Sequence, residues 1–247
     1  AILALLAAAG LASVLFVVAE RRAQSPLIHP SLYANVPFRR GNLVFLLVLI
    51  PFGGLIVLLP FYLEWYQGYG AHQVGLMLTV QAVASVGGSV GSGWLPSAMP
   101  FRARAFAGVL IMLAGILALV FLHHPGALLI LLLSLAMIGA GSGILMSTVI
   151  QVVMGSLPDG LAPVGSAVQS QVRTVAQMFG VVLLESIFSY VYAMPSGAGH
   201  GPPSNPQAVA TMLDGFRYAF WFGAGCLILA LIAISRLPTR QEPKAET

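Results

Sequence analysis

Charge is scarce in this sequence. Only 7% of its 247 residues are Asp, Glu, Lys or Arg, whereas soluble domains carry about 25%. Apolar residues make up 58% of the chain, and the mean hydropathy is +0.93. These values exclude a water-soluble core protein and point to a polytopic membrane protein. Cysteine occurs once, at Cys226, which excludes an internal disulfide and any Cys-cluster metal site. It lies in an apolar run and reads as a small core residue. The five histidines form no His-x3-His pair on any apolar run, so neither a metal site nor a cofactor is expected. The formal charge of +4 comes with no basic patch interleaved with aromatics, so nucleic acid is not an expected partner. There is no initiator Met and no charged region before the first apolar run, so the start does not read as a signal peptide. It reads as a portion of a longer protein.

What is present is long apolar runs. Seven are long enough to span a bilayer, at about 1–19, 43–63, 73–95, 105–122, 126–150, 165–192 and 216–235. Nine of the eleven basic residues fall in the first and third connections and the tail: Arg21, Arg22, Arg39, Arg40, Arg102, Arg104, Arg236, Arg240 and Lys244. If every run crosses once, all nine lie on one side, and the positive-inside rule makes that side cytoplasmic. Tyr62, Trp65, Tyr66 and Tyr69 then cluster at the outer end of the second run and read as a membrane-anchoring aromatic belt. Asn205-Pro206 reads as the cap and first residue of a short separate helix ending at Leu213. Arg217 is spaced to pair with Asp214.

Polar residues inside the runs mark the candidate site. Gln169–Ser189 carries Gln169, Gln171, Arg173, Gln177 and Glu185 in an otherwise apolar stretch. Gln169, Arg173 and Gln177 are spaced i, i+4, i+8 and share one helical stripe, while Glu185 and Ser189 form a second. A charge near a bilayer centre costs at least about 2.5–3.5 kcal/mol, so such groups usually face a bundle interior or a wet cavity. The helix therefore reads as lining a polar path. Arg173 either organises that path or snorkels toward the cytoplasm. Glu185 either handles protons and cations or packs as an interfacial carboxylate. Gln81 lies mid-run, where an amide either bonds to a neighbouring helix or faces substrate.

Small residues mark packing surfaces. Gly87 and Gly91 are GxxxG-spaced, as are Gly88 and Ser92, and Gly139–Gly143 reads GAGSG. Gly87–Gly91 also fits GxSxG, but that elbow needs a strand-turn-helix setting that an apolar helix does not provide. Pro51, Gly53, Gly54 and Pro60 suggest a bent second run.

The order of elements resembles a known family. Glu20-Arg21-Arg22 ends the first run, PLIHPSLYANVPFRRGNL follows as a connector, then comes a run ending LPFYLEWYQGYGAHQVG, and later GSAVQSQVRTVAQMFGVVLLES. Together these resemble the C-terminal portion of fourteen-span major facilitator superfamily exporters, the drug:proton antiporter-2 (EmrB/QacA-like) group. The resemblance implies an all-α membrane fold. Residues 1–19 would be the last inter-half helix, 20–42 a cytoplasmic connector, 43–236 a six-helix half and 237–247 a cytoplasmic tail. Two inverted three-helix units are implied, at about 43–122 and 126–236.

The resemblance also implies proton-coupled export of amphipathic small molecules from a bacterial inner membrane. Its partners would be membrane lipid, the N-terminal half of the same chain, protons and, as an optional partner, a periplasmic adaptor protein. The family's loop motif, roughly GxLaDRxGRR, has a degenerate copy here. Gly93 fits its start, Ser97 stands at the Asp position, Pro100 stands at the second Gly position, and Arg102 and Arg104 supply basic residues. An uptake carrier of the same superfamily shares this layout. An intramembrane enzyme would need a buried Ser–His pair, and none of the five histidines lies well inside a run. A bare scaffold would make Arg173 and Glu185 an expensive choice.

Overall fold

The structure is a computed structural model and describes residues 35–94, 99–122, 127–157, 160–196 and 206–236. The first apolar run, most of the first connector and the tail lie outside the described residues. Within them the chain forms six helices, each long and apolar enough to cross a membrane. They are α1 (Val36–Phe61), α2 (Ala71–Trp94), α3 (Phe101–Phe121), α4 (Leu128–Gly155), α5 (Ala162–Ser196) and α6 (Pro206–Ser235), with a π-helical turn, Tyr62–Tyr66, prolonging α1.

Several boundaries differ from the sequence reading, each for a local reason. Helix α1 starts well before residue 43, because Asn35 caps it by accepting from the Phe38 N–H at 3.2 Å and Pro37 sits in the first turn. The Asn35 side chain also donates to the Ser156 carbonyl at 2.5 Å, tying the start of α1 to the end of α4. Arg39 and Arg40 are therefore helical, not part of a loop. Arg102 and Arg104 likewise lie in the first turn of α3. The separate helix expected to end at Leu213 is instead continuous with the last span. Gly215 does not break it: the residue lets α6 approach Phe188 of α5, whose ring would lie 3.0 Å from a Cβ there. Asn205 lies outside the described residues. Arg217 and Asp214 pair across the same stretch at 3.9 Å. Helix α1 runs unbroken through Pro51 and Pro60, although each proline removes one backbone donor.

The packing is interleaved. The second helix of each three-helix unit lies along the first helix of the other, α2 on α4 and α5 on α1. Helices α3 and α6 pack behind them and against each other, and α1 meets α4 at the centre.

Both principal contacts are backbone to backbone. Gly139 and Gly143 of α4 abut the carbonyls of Gln81 and Ser85, and Gly88 of α2 abuts that of Ala140. On the other pair, Gly53 abuts the Gln177 backbone and Gly180 abuts the Ile50 carbonyl. Without a hydrophobic drive between helices in lipid, such close approach is what holds them. The two GxxxG patterns in α2 separate here. Gly88 and Ser92 are buried against α4, whereas Gly87 and Gly91 have nothing within 4 Å of a Cβ.

The end of the bundle opposite Arg39, Arg102 and Arg236 is closed by aromatic rings. Tyr62 is 1% exposed and meets Phe216 and Phe220 edge-on, with centroids at 5.3 and 5.6 Å. Phe188 lies 4.5 Å from Phe216. The reading of Tyr62 as a membrane anchor is thus overturned: the π-helical turn carries this ring into the core, and Gln67 donates to its hydroxyl at 3.3 Å. Trp65, Tyr66 and Tyr69 remain half-buried, and Glu64 is exposed. Tyr62→Ala should cost about 3–5 kcal/mol, as for other buried aromatics, and Tyr62→Phe only about 0.5–1.5 kcal/mol. Thermal unfolding in detergent would check the difference, and equal losses would show that the hydroxyl, not the ring, carries the contact.

Candidate functional site

Helices α2 and α5 stand apart from the other four. Only 22% of the apolar window of each is buried, against 44–56% elsewhere. Val83, Val86 and Val90 on α2 and Met178, Phe179 and Val182 on α5 are more than half exposed. These two helices also carry most of the polar residues singled out in the sequence.

On α5 the first stripe runs from a buried to an open environment. Gln169 is 6% exposed, and its Nε2 has no hydrogen-bond partner among the described residues. It lies in the stretch where Gly165 packs against Leu157, just past the end of α4. Arg173, one turn on, is exposed and makes no ion pair among the described residues. Gln177 is half-buried, with its backbone pressed on Gly53 of α1. The stripe therefore does not face a channel closed by this chain. It is buried at Gln169, open at Arg173 and half-buried beside α1 at Gln177.

The second stripe is a local hydrogen-bonded pair. Ser189 donates to Glu185 Oε1 at 3.4 Å, and Glu185 Oε2 is buried without a partner among the described residues. A carboxylate with a free buried oxygen can accept a proton or face a cation.

Gln81 is 9% exposed on α2. Its position mirrors that of Gln177: each has its backbone against the glycine of the opposite unit's first helix, Gly139 for Gln81 and Gly53 for Gln177. The two amides thus mark equivalent crossings. Helices α2 and α5 do not pack along one another, so Gln81 is not brought onto the α5 stripe by direct packing.

The degenerate loop residues are dispersed. Gly93 is exposed near the end of α2, and Ser97 lies outside the described residues. Arg102 is half-buried. Arg104 is 9% exposed, stacked 4.6 Å over the Phe101 ring, with its Nε unpartnered among the described residues.

Sequence reasoning missed the side-chain contact between α2 and α4. The Ser92 and Ser147 hydroxyls lie 2.5 Å apart across the α2–α4 crossing. Ser92 had been noted only as a small residue, and no spacing rule singles out Ser147. Among the described residues no group of three or more His, Cys, Asp or Glu could hold a metal ion. The lone Cys226 is buried in α6.

Comparison with known proteins agrees with this architecture. The Major Facilitator Superfamily profile matches residues 1–181. The chain is 25% identical over 188 residues to the multidrug transporter protein MdtP of Bacillus subtilis, covering 76% of this chain and 35% of that protein. It is 25% identical over 175 residues to the multidrug resistance protein Stp of Mycobacterium tuberculosis, covering 71% and 32%. It is 31% identical over 192 residues to the drug efflux pump JefA of the same organism, covering 74% and 36%. The chain thus spans about a third of the length of each of these relatives. With six membrane-length helices and this profile match, the chain belongs to the Major Facilitator Superfamily of multi-pass membrane proteins.

Proposed function

We propose that this chain is the C-terminal portion of a fourteen-span, proton-coupled exporter of amphipathic small molecules. The observation that carries the proposal is the pair of open helices. Helices α2 and α5 expose their apolar faces and leave Arg173 without a counter-charge among the described residues. A charged side chain at that depth needs a wet cavity or a partner helix, and an N-terminal half docked on this side would supply both. Alternating access would then rock the two halves about a midplane site beside α5. The names of the relatives, which concern multidrug transport, resistance and efflux, support a drug-like substrate.

On this reading residues 1–247 alone should not transport. Proteoliposomes containing only this chain should show no pH-gradient-driven flux of a fluorescent cation, and co-reconstitution with the N-terminal half should restore it. Robust flux from the chain alone would sink the half-transporter proposal.

The basic end of the bundle, where α1 and α3 start and α6 ends, is cytoplasmic on the same reading. In a Cys226→Ala background, Ala162→Cys at the basic end should resist an impermeant thiol reagent in intact cells, whereas Ala71→Cys at the opposite end should label. Both alanines are exposed. Labelling of the first and not the second would invert the topology.

A further inference from the structure

At the basic end, α1, α5 and α6 do not close on one another. Two grooves run along α1 there, on either side of a ridge made by Arg39, Arg40 and Leu43, which line both. One groove, of about 460 Å³, lies between α1 and α6, with Leu47, Leu229 and Ile232 in its walls and Arg236 at its rim. The other, of about 350 Å³, lies between α1 and α5 and is lined by Phe38, Leu46 and Val168. Both fall within the usual size range of small-ligand pockets, about 300–1,000 Å³. Leu43, Leu229 and Ile232 are 49%, 54% and 50% exposed, so this apolar surface faces outward from the bundle.

The rim is cationic, and among the described residues no carboxylate offsets it. The described carboxylates are Glu64, Glu185 and Asp214, and none belongs to the basic end. The one ion pair among the described residues joins Arg217 to Asp214 on the far side. Arg40 donates through one nitrogen to the Arg236 carbonyl at 2.5 Å. This contact holds α1 to the C-terminal end of α6, where a cation is favourable, and Arg39, Arg40 and Arg236 line one groove.

We propose that these grooves seat one anionic diacyl phospholipid. Its phosphate would lie on Arg39, Arg40 and Arg236, whose planar guanidinium forks suit phosphate oxygens, with one acyl chain in each groove astride Leu43. Two apolar grooves meeting at one cationic rim match two chains joined to one headgroup. A zwitterionic lipid would bring its own cation to the three arginines, and a free phosphate would leave both grooves empty. The inference requires only that the basic end lie at a membrane surface, and it does not depend on what the protein exports.

The test is thermal unfolding of the purified protein in a neutral detergent, titrated with phosphatidylglycerol. A saturable rise in melting temperature is expected, with none from phosphatidylcholine or from inorganic phosphate. Each arginine at an anionic lipid surface changes affinity about fivefold. The Arg39→Gln/Arg40→Gln/Arg236→Gln variant should therefore need roughly a hundredfold more lipid for half-maximal effect. The corresponding triple Lys variant should keep most of the response. If the triple Gln variant does not fold, Arg39→Gln and Arg236→Gln taken singly should each shift the midpoint about fivefold. An equal rise with phosphatidylcholine, an equal rise with phosphate, or an undiminished phosphatidylglycerol effect in the Gln variants would each overturn the proposal. So would a disulfide between Leu47→Cys and Leu27→Cys in lipid-free detergent, which would assign the grooves to the chain's own connector.

Discussion

Gly180→Leu should abolish recovery of folded protein, and Gly180→Ala should lower the melting temperature by roughly 2–12 °C. The reason lies at the α1–α5 crossing. A Cβ at Gly180 would fall inside the van der Waals shell of the Ile50 carbonyl oxygen, and the Gly54 N–H is 3.1 Å away. Both neighbours are backbone, so no rotamer change relieves the clash and the helices must separate. Overpacking of this kind typically costs about 1–3 kcal/mol. The crossing also includes Gly53 against Gln177 and Gly54 against Leu184, so separation there loses several contacts at once. The matched control is Gly87→Ala, on α2, where a Cβ meets nothing within 4 Å. Size-exclusion profiles and thermal unfolding in detergent read both. Normal behaviour of Gly180→Leu would show that α5 is not held to α1 by close backbone contact.

The second large effect concerns transport by the full-length protein. Glu185→Gln and Arg173→Lys should each reduce efflux of a fluorescent cation by roughly ten- to a hundredfold at matched expression. For Glu185 the warrant is the buried Oε2 with no partner among the described residues, beside Oε1 held by the Ser189 hydroxyl. Gln keeps the shape and removes the exchangeable charge, so a proton-handling or cation-facing role is lost while packing survives. For Arg173 the warrant is its exposure on α5 without an ion pair among the described residues. If it meets groups on the other half through a planar fork, an ammonium does not replace it. Hydrogen bonds to charged groups are worth about 1.5–3 kcal/mol, which sets the size of the expected loss. Wild-type efflux by both variants would show that the two charges are structural, and the polar-path reading of α5 would be withdrawn.

How much of this was legible beforehand depended on whether the signal was periodic or relational. Apolar length located all six described helices, because lipid demands about 20 apolar residues per span. The arginine bias located their shared end, with Arg39, Arg102 and Arg236 as its markers. Contacts made by identical residue types in different surroundings were not legible. Gly87/Gly91 and Gly88/Ser92 have the same spacing, one residue apart, yet only the second pair faces α4. Tyr62 and Tyr66 belong to one aromatic cluster, yet the π-helical turn buries the first far more than the second. The short helix expected to end at Leu213 runs on through Gly215, whose partner, Phe188, lies on another helix and leaves no mark in the local sequence. At the candidate site the i, i+4 relation of Glu185 and Ser189 was legible and is realised as a hydrogen bond. The differing burial of Gln169 and Arg173 was not, because it depends on where α4 ends.

The interleaving of the helices has a consequence for biosynthesis. Helix α1 leaves the ribosome first among these six, but its closest glycine partner, α5, is made only after α2, α3 and α4. At about 5–20 residues per second, translation leaves α1 waiting on the order of ten seconds in lipid. Throughout that interval Gly53 and Gly54 present a bare notch to whatever other segments are inserting nearby. Helix α2 waits too, though for a shorter time, until α4 arrives. A ribosome that stalls between α4 and α5 would therefore release a chain whose first helix lacks its principal partner, α5. Membrane quality-control proteases that survey unpaired spans should clear such products faster than chains stalled just after α5.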